Sequence, residues 1–413
     1  MSLRALAKQS DFGLGIAFSV WVLVIYLLII VSEMSRMKNY DWIVIGGGIT
    51  GSALSYELAK QGWRVLLLEK DASFNNATCY SYGGLAYWSG TTELTRQLYQ
   101  EGMAIHRNLA VELDANTEFR EIDLVLTIDK NESPQNIAAS YTQFAIQPQI
   151  LDVKEACQLE PLLNPDAISG ILRLPHGHIH PEKTNRAYQQ AFCRLGGEIK
   201  IERAIRVLQE RNRAVGVATE QQNYNSDRIV ICAGALSRAF LQEAGSSIPL
   251  YFTHSWAIIT QPTERRLRTL VMPAIQQRFT LEATATQPEW QTLWDVPNSQ
   301  SLAQILDVGA IQFLDGRVIL GQISSITTDT AAIGNAVAAE TQIRAGIANI
   351  LPELANLRGT CYHCLVAFSK NSQPLVGLVE NWTGLYLFSG FTSTLVVAPP
   401  LAKHFVRLIG QEK

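Results

Sequence analysis

Cysteine is scarce in this chain. Six occur in 413 residues, at Cys79, Cys157, Cys193, Cys232, Cys361 and Cys364. Such sparse usage excludes a disulfide framework and fits a reducing, cytoplasmic setting. An excess of one charge is lacking too. Lys and Arg number 34 against 37 Asp and Glu, a formal net charge of -3, so no bulk electrostatic footprint for nucleic acid exists. Low-complexity linkers and internal repeats are absent. With 47% hydrophobic and only 17% charged residues, the chain can bury a sizeable core, which excludes wholesale disorder. The length suggests two domains or one large composite.

What is present begins with an unusual N-terminus. From Phe12 to Ser32 (FGLGIAFSVWVLVIYLLIIVS) no charged residue occurs. That stretch is long enough to cross a hydrocarbon core of about 30 Å as a helix. It is too long for a signal-peptide apolar region, and no small-x-small cleavage site follows it. Arg4 and Lys8 before it balance Arg36 and Lys38 after it, so the positive-inside rule sets no orientation. Two readings of residues 1–36 stand. One is a membrane anchor through 12–32. The other is a mis-assigned start, with translation beginning at Met34 or Met37.

Next comes a strand–helix–strand pattern of βαβ size. Asp41–Ile45 reads as a buried strand, Thr50–Lys60 as a helix stopped by Gly62, and Arg64–Leu68 as a second buried strand closed by Glu69. Between the first strand and the helix, Gly46-Gly47-Gly48-Ile49-Thr50-Gly51 satisfies G-x-G-x-x-G. The first glycine permits the tight turn and the second lets the backbone approach a pyrophosphate. The third lets helix and strand pack closely. The helix N-terminus offers N–H groups and a favourable dipole to phosphates, and Glu69 can accept hydrogen bonds from ribose hydroxyls. The context that the motif demands is met, so a dinucleotide site is expected. Glycine spacing does not choose between FAD and NAD.

Several blocks in order choose FAD by resemblance. DWIVIGGGITGSALSYELAKQGWRVLLLEK, ending at Lys70, is followed by TCYSYGGL, HGHIHPEKTNRAYQQAFCRLGGEI, RIVICAGALS, SQPLVG and GLYLFSGFTSTLVVAPPLAKHF. From about Tyr40 to the C-terminus the chain resembles the FAD-dependent amine and amino-acid oxidase family. The resemblance implies a flavin-lining segment at Thr78, Ser81, Gly83, Gly84 and Leu85. It implies a second contact at Ala233 and Gly234, and a closing turn at Gly390, Thr392, Ser393, Thr394 and Leu395. Cys364 matches the cysteine that carries flavin covalently in sarcosine-oxidase-like members. Arg96, in RQLYQEG, resembles the arginine that holds the substrate carboxylate there, a role suited to a bidentate guanidinium.

Other patterns carry less. Cys361 and Cys364 form C-x-x-C, but no second pair lies at finger-like spacing for zinc. His176, His178 and His180 alternate, which on a strand would place all three on one face. The similar family segment binds no metal, and none is expected. Several family residues are missing. Val366 stands where glycine-oxidase-like members have a carboxylate-binding arginine. Ile319 and Ile323 replace a lysine and a histidine around Leu320-Gly321, and Val397 replaces a further lysine. The resemblance therefore leaves open whether oxygen is the electron acceptor.

The expectation is an α/β fold. A discontinuous Rossmann-type FAD-binding domain draws on 37–92, 151–245 and 357–413. A substrate domain on a mostly antiparallel sheet draws on 93–150 and 246–356. The expected activity is oxidation of an amine or amino acid by hydride transfer to FAD, with oxygen or another acceptor taking the electrons. The alternatives are a dehydrogenase serving a quinone or carrier, and a non-catalytic flavoprotein.

Overall fold

A computed structural model describes residues 40–73, 75–296 and 304–411. The expected anchor at 12–32 and the alternative starts at Met34 and Met37 lie outside the described residues. Among the described residues no helix is long and apolar enough to cross a membrane.

The described residues begin with β1 (Trp42–Ile45), α1 (Ile49–Lys60), β2 (Val65–Glu69), β3 (Gly84–Leu85), α2 (Glu93–Glu112) and β4 (Arg120–Asp129). There follow α3 (Pro134–Ala139), β5 (Gln149–Leu151), α4 (Val153–Leu159), β6 (Ile168–His178), α5 (Pro181–Arg194) and β7 (Glu198–Ile201). Then come β8 (Ala204–Glu210), β9 (Arg213–Thr219), β10 (Asn223–Asn225), β11 (Ile229–Ile231) and α6 (Ser237–Glu243). The next elements are β12 (Leu250–Thr260), β13 (Leu270–Pro273), α7 (Gln277–Ala285), α8 (Pro288–Gln291), β14 (Ile305–Gln312) and β15 (Val318–Ser325). The last are α9 (Ala336–Ile350), β16 (Gly359–Ser369), β17 (Leu375–Leu378), β18 (Leu385–Ser389) and α10 (Thr394–Gly410).

A six-stranded sheet runs β17-β18-β11-β1-β2-β7. Its pairs from β18 to β7 are parallel, and only β17 is antiparallel. Parallel strands buried on both faces read as unbroken apolar runs, as WIVI and VLLL do. Trp42, Val44 and Leu67 pack on one face with Ala53 and Leu54 of α1, Phe192 of α5 and Val396 of α10. Ile43, Ile45, Leu66 and Leu68 pack on the other with Val207, Val217 and Tyr224 of a small antiparallel sheet, β10-β9-β8. This is the α/β arrangement expected.

The second large sheet runs β16-β12-β15-β14-β13-β4-β6-β3, with β5 on β6. It is antiparallel except at β13–β4. β6 and β16 belong to it, while β7 and β11 belong to the first sheet. Stretch 151–245 thus feeds both sheets, and so does 357–413. Helix α9 covers the face that bears Trp256, Ile258 and Ile323. Asn335 accepts hydrogen bonds from the backbone N–H groups of Val337 and Ala338 and so fixes the start at Ala336.

Candidate functional site

Four neighbouring parallel strands end on one edge of the first sheet. β18 ends at Ser389, β11 at Ile231, β1 at Ile45 and β2 at Glu69. Gly390–Leu395, Ala233-Gly234, Gly46–Gly51 and Glu69-Lys70 follow or close these strands. The fold thereby brings together residues spread over most of the sequence. Ligands of open α/β sheets bind outside the carboxyl ends of their strands.

The turn after β1 admits only glycine at two places. Gly46 has φ +106°, and a Cβ there would stand 2.6 Å from the Cys232 carbonyl oxygen. A Cβ on Gly51 would stand 1.9 Å from the Gly46 carbonyl oxygen. Gly48 caps α1 without any side-chain hydrogen bond, while Ile49 N–H donates to Thr78 Oγ1 at 3.1 Å. Thr50 sits in the first turn of α1, its hydroxyl 3.5 Å from the Cys232 carbonyl. Glu69 Oε2 accepts the Gly47 N–H at 2.7 Å, and its Oε1 accepts the Asp71 N–H at 3.0 Å. Asn185 and Gln189 of α5 each donate to the Gly47 carbonyl at 2.9 Å. A helix N-terminus uncapped by its own N-cap residue, a glycine cradle and a fixed carboxylate fit the diphosphate and adenosine ribose of FAD. Lys70 points outward and pairs with Asp71 at 2.6 Å.

The other expected contacts surround this edge. Ser81 Oγ accepts the Gly83 N–H at 3.2 Å. A Cβ on Gly83 would meet the Ile179 carbonyl at 2.2 Å, and one on Gly84 would meet His176 Nε2 at 2.6 Å. The Gly-Gly pair thus lets the loop sit on β6, where Leu85 is fully buried. Gly234 has φ +55° with open space where a Cβ would point. Ser393, at φ +53°, caps α10 in the left-handed region. Thr394 Oγ1 donates to the Phe391 carbonyl at 2.7 Å, closing the turn that contains Thr392. His106, buried in α2, makes a 2.7 Å hydrogen bond to the Leu395 carbonyl.

The second sheet faces this region with one side of β12 and β16. Strand alternation puts Thr253, Ser255 and Ala257 on that side with Val366, Cys364 and Tyr362 opposite them. Trp256, Ile258 and Cys361 lie on the other side, against α9. The two cysteines therefore point to opposite faces and form no redox pair. Tyr80, in the TCYSYGGL segment, stacks on Tyr362 at 4.7 Å. A cavity of about 230 Å³ opens beside them, lined by Asn75, Cys79, His180 and Arg317 among others. Burial pushes the Cys364 thiol up to about 12, a shift that the Arg278 charge opposes.

Sequence reasoning missed a polar cluster on this face. Arg278 Nε donates to Glu282 Oε1 at 2.6 Å, one turn along α7. Thr253 Oγ1 donates to the same oxygen at 2.9 Å. Asp307 accepts the backbone N–H groups of Gln277 and Arg278 at 2.9 and 3.1 Å and so fixes the start of α7. Burial works against the Arg278 charge, but the Glu282 carboxylate outweighs it. The i,i+4 spacing of Arg278 and Glu282 was the one available signal, within a polar stretch that shows no clear period.

Arg96 stands elsewhere. It is exposed at the start of α2, with Nε on the Gly90 carbonyl at 3.3 Å and Nη2 on the Gln143 carbonyl at 3.0 Å. The histidines take separate partners. Trp88 donates to His176 at 3.1 Å, Arg120 to His178 at 3.2 Å, and Arg317 lies 3.1 Å from His180. Burial pushes His176 down to about 3. Among the described residues no group of His, Cys, Asp or Glu could hold a metal ion.

A glycine oxidase of Pseudomonas aeruginosa is 24% identical over 375 residues, which cover 86% of this chain and 91% of the relative. A monomeric sarcosine oxidase of Streptomyces avermitilis is 30% identical over 220 residues, covering 50% of this chain and 55% of the relative. A 4-methylaminobutanoate oxidase of Paenarthrobacter nicotinovorans is matched over only 26% of its length. The alignment thus spans about half or less of these last two proteins. The crystal structure of L-proline dehydrogenase from P. horikoshii superposes with a TM-score of 0.73 at 19% identity, covering 91% of this chain and 94% of that one, which shows the fold. Residues 41–408 match the family described as "FAD dependent oxidoreductase", and the chain belongs to that family.

Proposed function

We propose that the protein is an FAD-dependent oxidoreductase that oxidises an amine or amino acid at a CH–NH bond. The observation that carries this reading is the convergence of Gly46–Gly51, Glu69, Gly234 and Ser393–Leu395 at the carboxyl ends of adjacent parallel strands. Relatives named sarcosine oxidase and glycine oxidase support the substrate class. FAD held there would accept a hydride from the carbon beside an uncharged substrate nitrogen. The chain's own part is to hold and orient. Backbone N–H groups at Gly48 and at Thr392–Leu395 serve the diphosphate and the ring, while Glu69 serves the ribose. Gly83, Gly84 and Leu85 seat the lining loop on β6. We assign FAD binding to the first sheet with its helices, and substrate binding to the β12–β16 face of the second. A carboxylate role for Arg96 requires it to release Gly90 and Gln143.

A second reading concerns the acceptor. Ile319 is 1% exposed and Val397 is 1% exposed, both in apolar packing with no cation at either position. That favours a dehydrogenase that hands electrons to a quinone or carrier. Membrane attachment through 12–32 would suit such a dehydrogenase, whereas a cytoplasmic enzyme would lack it. Fractionation of the full chain against one starting at Met37 distinguishes the two.

Anaerobic mixing with a panel of amines and amino acids tests the main reading. Bleaching of the flavin band by any member supports it. A flavin that no member bleaches leaves FAD as a structural element only. Peroxide formation against dye reduction, with the bleaching substrate, then separates oxidase from dehydrogenase.

A further inference from the structure

We propose that the cavity bounded by Tyr80, Tyr362 and Arg317 is the electron-acceptor site of the protein and takes the ring of a quinone. This rests on the flavoenzyme reading above and gives its dehydrogenase form a site and a ligand class. The cavity has a volume of about 230 Å³. Pockets for drug-sized ligands run to ~300–1,000 Å³, so one small ring system fills this one. Cys79 and Tyr80 on its wall directly follow Thr78, whose Oγ1 accepts the Ile49 N–H in the first turn of α1 at 3.1 Å. Tyr362 on its wall shares one side of β16 with Cys364. The cavity therefore adjoins both the loop that braces the glycine turn and the β12–β16 face.

The walls suit a flat, uncharged ligand. Tyr80 and Tyr362 stack at 4.7 Å, and His180 and Phe313 pack at 4.9 Å. Ile259 and Ile319, paired across β12 and β15, add apolar surface. A ring that enters is covered by aromatic and aliphatic groups. Both charged side chains on the wall are already paired. Arg317 Nε donates to Asp315 Oδ2 at 2.7 Å, and Glu182 accepts Arg186 Nη2 at 2.9 Å. An ionic ligand thus gains no net countercharge here. Arg317 Nη2 also donates to His180 Nε2 at 3.1 Å. A guanidinium carries five N–H donors, so the fork keeps donors for a neutral carbonyl oxygen. A quinone matches these walls: it is planar, uncharged and bears carbonyl acceptors at its rim.

The electron count closes with such a ligand. Oxidation of a CH–NH bond leaves two electrons and one proton on the flavin as a hydride. The quinone takes that hydride together with one proton from water and leaves as the quinol, and FAD returns to its oxidised form. A protein carrier is too large to enter the cavity. Cys79 lines it with a thiol that burial pushes up to about 12. That thiol is un-ionised at neutral pH and therefore a poor nucleophile toward the ring.

The test uses the FAD-loaded full chain and duroquinone, whose fully methylated ring is closed to thiol addition. Binding to the oxidised protein is followed by calorimetry and by quenching of protein fluorescence, neither of which needs turnover. Reoxidation of photoreduced flavin is then followed without oxygen, with duroquinone and separately with ferricyanide. The expected result is saturable duroquinone binding that weakens about tenfold or more in Arg317→Gln and in the cavity-filling Ile319→Trp, with Arg317→Lys intermediate. Reoxidation by duroquinone should slow in the same order. Reoxidation by ferricyanide, an anion for which the cavity has no countercharge, should not change. The proposal is overturned if wild type does not bind duroquinone, if both variants bind it as tightly as wild type, or if ferricyanide slows as much as duroquinone. Should Ile319→Trp fail to fold, unchanged binding in Arg317→Gln alone overturns it. Photoreduction needs no amine. A flavin that no amine or amino acid bleaches, yet duroquinone reoxidises in an Arg317-dependent way, contradicts the proposed amine oxidation and leaves this assignment standing.

Discussion

Glu69 Oε2 lies 2.7 Å from the backbone nitrogen of Gly47, so the end of the second strand is tied to the glycine turn after the first. The bond aims the carboxylate along the sheet edge, and its other oxygen takes the Asp71 N–H. Hydrogen bonds to a charged acceptor are worth roughly 1.5–3 kcal/mol. Glu69→Ala is expected to weaken FAD binding by about tenfold or more, with Glu69→Gln intermediate. Fluorescence titration of stripped protein with FAD checks both.

Gly51→Ala is the sharpest steric test of the turn. Its new Cβ would stand 1.9 Å from the Gly46 carbonyl oxygen, so α1 must move away from the strand. Overpacking of this kind costs about 1–3 kcal/mol. The expected outcome is a lowered melting temperature together with loss of bound flavin. Gly62→Ala, which meets nothing within 4 Å but has φ +79°, should cost stability and retain flavin.

The state of Cys364 bears on how FAD is held. Thiolate is the nucleophile, and a thiol pushed up to about 12 by burial is un-ionised at neutral pH. FAD is therefore expected to dissociate. Acid precipitation should leave the yellow colour in the supernatant and a colourless pellet, and Cys364→Ser should behave in the same way. Colour retained in the wild-type pellet would contradict this.

His106 sits 1% exposed beneath the closing turn, and burial lowers its pKa from 6.5 to about 4. The folded state thus keeps it neutral while the unfolded state binds a proton below about 6.5. Its stabilising effect is present above that pH and is lost as pH falls toward 4. The slope is at most about 1.4 kcal/mol per pH unit. His254, also lowered to about 4, acts in the same direction. Denaturation midpoints should fall between pH 7 and pH 5 in wild type and fall less in His106→Gln.

The nucleotide edge was legible because its signals are local. Two buried strands, a glycine turn and a closing acid all lie within one βαβ unit, and each needs a specific residue type. The second sheet was far less legible. β6 and β16 are long strands that pair with β4 and β12, both distant in sequence, and the two glycines and two histidines within β6 hide its alternation. The face that each cysteine presents follows from register against β12, which only the fold supplies. Arg278 escaped for the same reason. Its neighbour Thr253 is set by tertiary packing of α7 on β12, whereas Arg96 stood in a recognisable motif yet lies on the surface.

The measurement that bears most directly on the account is the flavin content of the purified chain. FAD offered to stripped protein should be taken up at one per chain, with its visible bands restored, and Gly51→Ala should abolish that uptake. A wild-type chain that stays colourless in saturating FAD would contradict the account.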